Sequence, residues 1–331
     1  MMNRVVILVP RSLIFEESIK FISYIFNLPI AKQYVFDFAE TKRIDSFSLI
    51  FLSSEIHRFR HERIISKFIG KNFEHFTYGA HMGFFQAFGM DYGNKPGSFK
   101  GNNNYIPISL FNADKIKERA KELLINPAEI LEIKAKEISK LLTRKEEGDL
   151  FNVLSYSIRE ILRNIIEHSQ SHEFGFCAQY LPSKNLVSFA ILDRGIGIKK
   201  GLSGNPTLQL ESHLEAIEKS LEPGVSGKVF KGQKRKPKGD WANSGYGLFM
   251  TSSLCKLGGS FFIASGDKGI YLSEKQKRIL DTPLQGTALN LTFDITRLKN
   301  LDVMLAEIRK NVSKSSIKAS PSSMGLITNL N

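Results

Sequence analysis

Two rhythms of apolar positions run along this chain, and they predict different elements in its two halves. In the first half, residues 5–9 read as a strand, 13–26 as a helix and 34–39 as a second strand. Asp45-Ser46-Phe47-Ser48 opens a helix reaching about position 63, because Asp or Ser ahead of an apolar-periodic run is a start signal. A helical stretch rich in Phe and Gly follows at 77–89, then a Gly/Asn loop and a short strand at 105–108. This alternation predicts a small α/β domain over residues 1–110. Next, Asn126 as cap and Pro127 at the first helical position start a helix through 142, with Leu131, Ala135, Ile138 and Leu142 as its apolar stripe. Residues 111–150 therefore read as a helical connector.

The second half opens with residues 152–169. Leu154, Ile158, Ile161, Leu162 and Ile165 fall on one side of a helical wheel, while Glu160, Asn164 and Glu167 line the opposite edge. Residues 186–192 form an apolar run of strand length, 209–221 a helix, and 249–257 another helix ending at Gly258-Gly259. In 287–293, Leu289, Leu291 and Phe293 alternate with Ala288, Asn290 and Thr292, which is the pattern of a strand with one apolar face. Beyond about 313 the chain is rich in Ser and Lys, and a disordered tail is expected over 313–331.

Composition narrows the setting. At 331 residues the chain has room for two domains, and a formal net charge of +13 favours acidic partners. That charge is spread out, with no motif pointing to nucleic acid, although nonspecific contact remains compatible with it. Cys177 and Cys255 are too few and too isolated for a disulfide framework, which fits a reducing cytoplasm. No apolar run approaches the roughly 18 residues needed to span a bilayer. Residues 5–9 are too short for a signal-peptide core, and Pro10 interrupts them.

Candidate chemistry concentrates between residues 152 and 293. A carbonyl such as that of Asn164 is a hard oxygen ligand suited to magnesium. A carboxylate one turn away, Glu160, can orient or deprotonate an attacking group in phosphoryl transfer. Asp193-Arg194-Gly195-Ile196-Gly197 follows a strand, and its glycines let backbone approach a flat ligand while Asp193 accepts from an exocyclic amine. Gly245-Tyr246-Gly247-Leu248 runs into a helix start, a ready anion cradle. Gly286-Thr287 opens the last strand with a hydroxyl.

Glu160-Ile161-Leu162-Arg163-Asn164 resembles the N-box of the GHKL ATPases, the group that includes gyrase, heat-shock chaperones, histidine kinases and mismatch-repair proteins. The three glycine runs resemble its glycine boxes, in order, with 193 − 164 = 29 positions from Asn164 to Asp193. The resemblance spans residues 151–312. It implies a Bergerat fold, an α+β two-layer sandwich of mixed sheet with helices on one face. It also implies ATP and Mg2+ as ligands, Glu160 as general base, Asn164 as magnesium ligand and Asp193 as adenine acceptor. Gly195, Gly197, Gly245, Gly247, Leu248 and Thr287 would line the nucleotide. Residues 199–244, with Lys228, Lys231, Lys234, Arg235, Lys236 and Lys238, correspond to the family's ATP lid, and Trp241 would pack when that lid is ordered. The strand order and Asp45-Ser46 resemble the STAS domains of anti-sigma-factor antagonists, which makes Ser46 either an N-cap or a regulatory phosphosite.

The expected function is a cytoplasmic, magnesium-dependent ATP-binding protein of the anti-sigma-kinase type. It would hydrolyse ATP or pass its γ-phosphate to a protein serine or threonine, in signalling with a protein partner or a second copy. A non-catalytic ATP-gated interaction module, in stress or phage defence, and a nucleic-acid-associated ATPase are the alternatives.

Overall fold

Asp45 starts two helices at once. One carboxylate oxygen accepts from Ser48 N at 2.7 Å and the other from Phe15 N at 2.8 Å. In the computed structural model, described for residues 2–98, 101–102, 104–227, 245–297, 303, 306 and 308, the chain divides into two compact units. The first comprises 1–110 with 175–179 and 189–192; the second comprises 111–174, 180–188 and 193–331.

In the first unit, β1 (Val5–Leu8), β2 (Ser12–Leu13), α1 (Phe15–Phe26), β3 (Gln33–Asp37), β4 (Arg43–Ile44), α2 (Ser46–His61) and β5 (Lys67–Lys71) follow in order. β1, β3 and β5 make one parallel sheet with β3 in the middle, Val5 opposite Tyr34 and Tyr34 opposite Phe68. Parallel neighbours need a crossover, and α1 and α2 supply the two connections. β5 was not expected, because its Lys-Phe-Ile-Gly-Lys is too brief for either apolar period to register. Gly83, at φ +85°, splits the predicted stretch at 77–89 into α3 (Thr77–His81) and α4 (Phe84–Ala87). Phe85 sits at the centre of an aromatic cluster there, with Phe38, Phe73, Phe76, Phe84, Phe88 and Tyr92 around it at 5.2–6.2 Å between ring centroids.

The chain continues with β6 (Tyr105–Asn112), α5 (Ala113–Glu122), α6 (Pro127–Thr143), α7 (Asp149–Asn164), β7 (Glu173–Leu181), β8 (Leu186–Asp193), α8 (Gly197–Leu202), α9 (His213–Ser220), α10 (Gly247–Gly258), β9 (Gly259–Ser273) and β10 (Lys277–Asp294). α6 begins where expected. The Asn126 side chain accepts from Ala128 N at 2.9 Å, and Glu129 Oε1 accepts from Asn126 N at 3.1 Å, a reciprocal cap. The five-stranded sheet has the order β6-β7-β8-β10-β9, with β9 and β10 antiparallel from Gly259 opposite Phe293 to Leu272 opposite Lys277. Mixed α/β architecture in two units is thus the fold class. Strands β7 and β9 were not foreseen.

Helix α7 departs from the amphipathic reading in one respect. Its apolar stripe is buried as expected, but so are Arg159, Glu160 and Arg163, at 8%, 5% and 2% exposure. The helix is enclosed nearly all round. After Asn164 it does not continue as an α-helix to 169 but widens into a π-turn over Ile165–Ser169. Among the described residues, no helix is long and apolar enough to cross a membrane.

Candidate functional site

Strand β8 ends at Asp193, and there the chain must turn sharply. Gly195 N donates to Asp193 Oδ1 at 2.7 Å, folding the backbone back on the carboxylate. A side chain at 195 would lie 2.0 Å from Ser169 O, and one at 286 would lie 2.0 Å from Asp193 O. The three segments 169–170, 193–195 and 285–286 therefore meet at distances that only glycine permits. Ile196 N donates to Ser169 O at 2.8 Å, tying the π-turn to the same corner. From β9, Ser265 Oγ donates to Gly286 O and accepts from Ile198 N, each at 2.9 Å, fixing the start of α8.

Around this corner opens a partly enclosed cleft. Asn164, Asp193, Gly197, Gly245, Gly247, Leu248 and Thr287 all line it, so all four sequence signatures reach one wall. Ile161, Ile165, Ile263 and Leu289 give it apolar surface, which a flat base requires. Asp193 is 2% exposed, and burial pushes its carboxyl from the usual 3.8 up to about 6, against the opposing pull of the Gly195 amide. Its second oxygen has no hydrogen bond to any described residue.

Helix α10 starts at Gly247 with no side-chain cap, and Gly247 and Leu248 line the cleft. The first amides of a helix and its dipole favour an anion. Gly245, at φ +73°, is folded against Val225 O, to which a side chain would come within 2.5 Å. Gly224 N donates to Gly245 O at 3.2 Å, and Asn205 holds Ser226 O at 2.9 Å. Segment 224–227 thereby becomes part of the wall.

Two of the expected site residues stand outside the lining. Gly195 shapes the corner behind it. Glu160 lies behind Gly247, where a side chain at 247 would come 2.7 Å from Glu160 Cβ and 3.1 Å from its Oε2. Its Oε1 accepts from Arg159 Nη2 at 3.1 Å and from Arg163 Nη1 at 3.5 Å. Arg163 Nε donates in turn to Glu167 Oε1 at 2.7 Å, while Arg159 reaches Glu132 of α6 at 3.5 Å. The expected carboxylate edge is therefore a buried chain of alternating charges, and breaking such a chain typically costs about 3–5 kcal/mol. Arg159 and Arg163 were missed, although Glu160 with Arg163 and Arg163 with Glu167 have the i,i+3 and i,i+4 spacings that announce such pairs. His168, which lines the cleft, and Ser265 were missed as well, and no sequence pattern marks either.

Ser46 is corrected. The N-cap of α2 is Asp45, and Ser46 is its first helical residue, wholly buried, with its carbonyl receiving the Cys177 thiol at 3.0 Å. A hydroxyl so enclosed is closed to a kinase in this fold. The helix expected at 209–221 is observed as α9, capped by Ser212, whose Oγ accepts from Glu215 N at 3.1 Å. Lys228, Lys231, Lys234, Arg235, Lys236, Lys238 and Trp241, together with the tail at 313–331, lie outside the described residues. No protein-family model matches this chain, and no curated protein matches it either.

Proposed function

We propose that this protein binds ATP with magnesium in the cleft of its second unit, in the manner of the GHKL group, and acts on the γ-phosphate. The observation that carries this reading is the convergence of four separate sequence signatures on one cleft. Asp193, buried and with one oxygen unclaimed, is a ready acceptor for the exocyclic amine of adenine. Ile161, Ile165, Ile263 and Leu289 would sandwich the base, and the glycine-lined start of α10 would receive the phosphates. No group of three His, Cys, Asp or Glu side chains among the described residues forms a metal cage. The donor set instead suits a magnesium ion held by Asn164, water and phosphate oxygens. Bound ATP would supply the transferable phosphoryl group, and Glu160 Oε2, beside Gly247, would take the proton of the attacking hydroxyl. That hydroxyl belongs to water or to a serine or threonine of a protein partner. A cytoplasmic setting supplies the nucleotide.

One observation favours a second reading. Two guanidinium groups hold Glu160 Oε1, an arrangement that also suits a purely structural carboxylate in an ATP-gated interaction module. Glu160→Gln separates the two when purified protein is incubated with magnesium and γ-labelled ATP and both free phosphate and protein-bound label are followed. Catalysis by Glu160 predicts a loss of about 10²–10⁴-fold in phosphate release or transfer, with nucleotide affinity retained. Wild-type turnover in the variant removes Glu160 as the base, and an absence of nucleotide binding to the wild-type protein removes the whole reading.

A further inference from the structure

The first unit has a small cavity of its own, of about 70 Å³, and the nucleotide reading makes no use of it. Its walls come from the ends of β3 and β5, the last turns of α2 and the segment after α4. Phe36, Phe38, Phe68 and Phe88 line it together with Met90, and among the described residues the one charged side chain that lines it is Arg60. Phe36, Phe38 and Phe88 are almost wholly buried, so their rings are held in place.

Arg60 is anchored at one end and open at the other. Its Nη1 donates to Phe88 O, and its guanidinium carbon lies 5.5 Å from the centre of the Phe68 ring. Gly89, at φ +84°, makes room for it, since a side chain there would come 2.7 Å from Nη1. No carboxylate among the described residues lies within ion-pair distance of Arg60. A guanidinium carries five N–H donors, and the described residues engage only Nη1. Burial alone lowers its affinity for the proton, with no acidic neighbour to offset that. This half-buried cation with spare donors, set in an aromatic wall, has no anionic partner among the described residues. Its neighbours on α2 show the contrast: Arg58 is satisfied by Glu55 and Glu62, at 2.7 and 2.6 Å.

We propose that this cavity is a binding site for a small aromatic carboxylate, with the ring between Phe36, Phe68 and Phe88 and the carboxylate on the free edge of Arg60. The chemistry follows from the two wall types. Phenylalanine faces and edges accept a flat ring, and the planar fork of arginine matches a carboxylate in two parallel hydrogen bonds. The enclosed space, about 70 Å³, limits the ligand to a single small ring. The site is independent of the nucleotide cleft.

Benzoate is the probe, with benzamide as its neutral counterpart, added to full-length protein carrying ¹³C-methyl methionine. Met90 lines the cavity and reports a ring current, whereas Met250 of α10 lines no part of it. The expected result is a saturable shift of the Met90 methyl with benzoate, at least about tenfold weaker binding of benzamide, and an unmoved Met250. Arg60→Gln should weaken benzoate by about tenfold to a hundredfold, the scale of a lost charge-assisted pair. Equal binding of benzoate and benzamide overturns the proposal, as does a Met90 methyl that does not respond to millimolar benzoate. Should Arg60→Gln fail to fold, the comparison of the two probes on wild-type protein decides alone.

Discussion

The cavities of the two units are walled with different material. In the second unit the lining includes five glycines, and its geometry depends on backbones meeting where no side chain fits. In the first unit four phenylalanines and one arginine dominate the lining, and among the lining residues only Gly89 has a positive φ. A wall of backbone offers fixed N–H groups and close approach, which suits a polar, charged ligand. A wall of rings offers apolar area and one directional cation, which suits a smaller, flatter one. The contrast predicts where each unit is most easily damaged.

The largest effect is expected in the aromatic unit. Phe85 touches six other rings and is fully buried, so Phe85→Ala leaves a void that its neighbours cannot refill. A loss of about 3–5 kcal/mol in urea unfolding is expected. A loss below about 1 kcal/mol would mean that the ring cluster is loosely packed, and the comparison would weaken.

The glycine unit should respond instead to a single methyl group. Gly286→Ala places that methyl 2.0 Å from Asp193 O at φ +99°, so about 3 kcal/mol of strain and a displaced Asp193 are expected, with adenosine binding lost. Gly201, which lines the same cleft, has nothing within 4 Å of an added Cβ and lies inside α8. Gly201→Ala should therefore be neutral or stabilising by roughly 0.5–1 kcal/mol. Similar losses for the two variants would show that glycine as such, and not close backbone approach, sets the cost.

The same contrast explains what the sequence made legible. Glycine runs beside Asp193 and ahead of α10 are local signals, because a sharp turn or an uncapped helix start is encoded within four or five consecutive residues. The elements carrying them, β8, α10 and the second half of β10, were accordingly foreseen. The aromatic cavity was not, because Phe36, Phe68 and Phe88 read as ordinary core and only the fold assembles them around Arg60. Burial also reverses local appearance. Ser46 looked like the acting residue of its dipeptide, yet Asp45 does the capping because its carboxylate reaches the starts of both α1 and α2. Glu160 looked like part of an open polar edge, but α6 and the two arginines enclose it.

A metal-specific test sharpens the polar side of the comparison. Asn164→Ala should weaken ATP binding by about tenfold to a hundredfold in the presence of magnesium, the usual range for altered metal coordination. Binding of adenosine, which needs no metal, should change by less than about twofold. Isothermal titration with both ligands reads the difference. An equal loss for the two would assign Asn164 to the shape of the cleft, where it stands beside Ile165 and Ile161, and not to the ion.

The smallest predicted effect concerns the proton on Asp193. Its carboxyl titrates at about 6 in the folded protein, against 3.8 ordinarily, because burial disfavours the charged form. The folded state therefore holds this proton more tightly than the unfolded chain does. Without ligand, stability should fall as pH rises from about 4 to about 6, and this contribution should then level off. Adenosine, bound through its amine as proposed, should reverse the preference, because the ionised carboxylate is the better acceptor. Affinity should be full above pH 7 and fall as pH drops through 6, reaching about tenfold weaker at pH 5, or about 1.4 kcal/mol. Adenosine is the right probe because it has no phosphate to titrate in this range. Asp193→Asn cannot ionise, so it should bind adenosine weakly and with no inflection near pH 6. A wild-type profile that stays flat from pH 5 to 8 would separate Asp193 from the base and leave it a structural acceptor for the Gly195 amide alone.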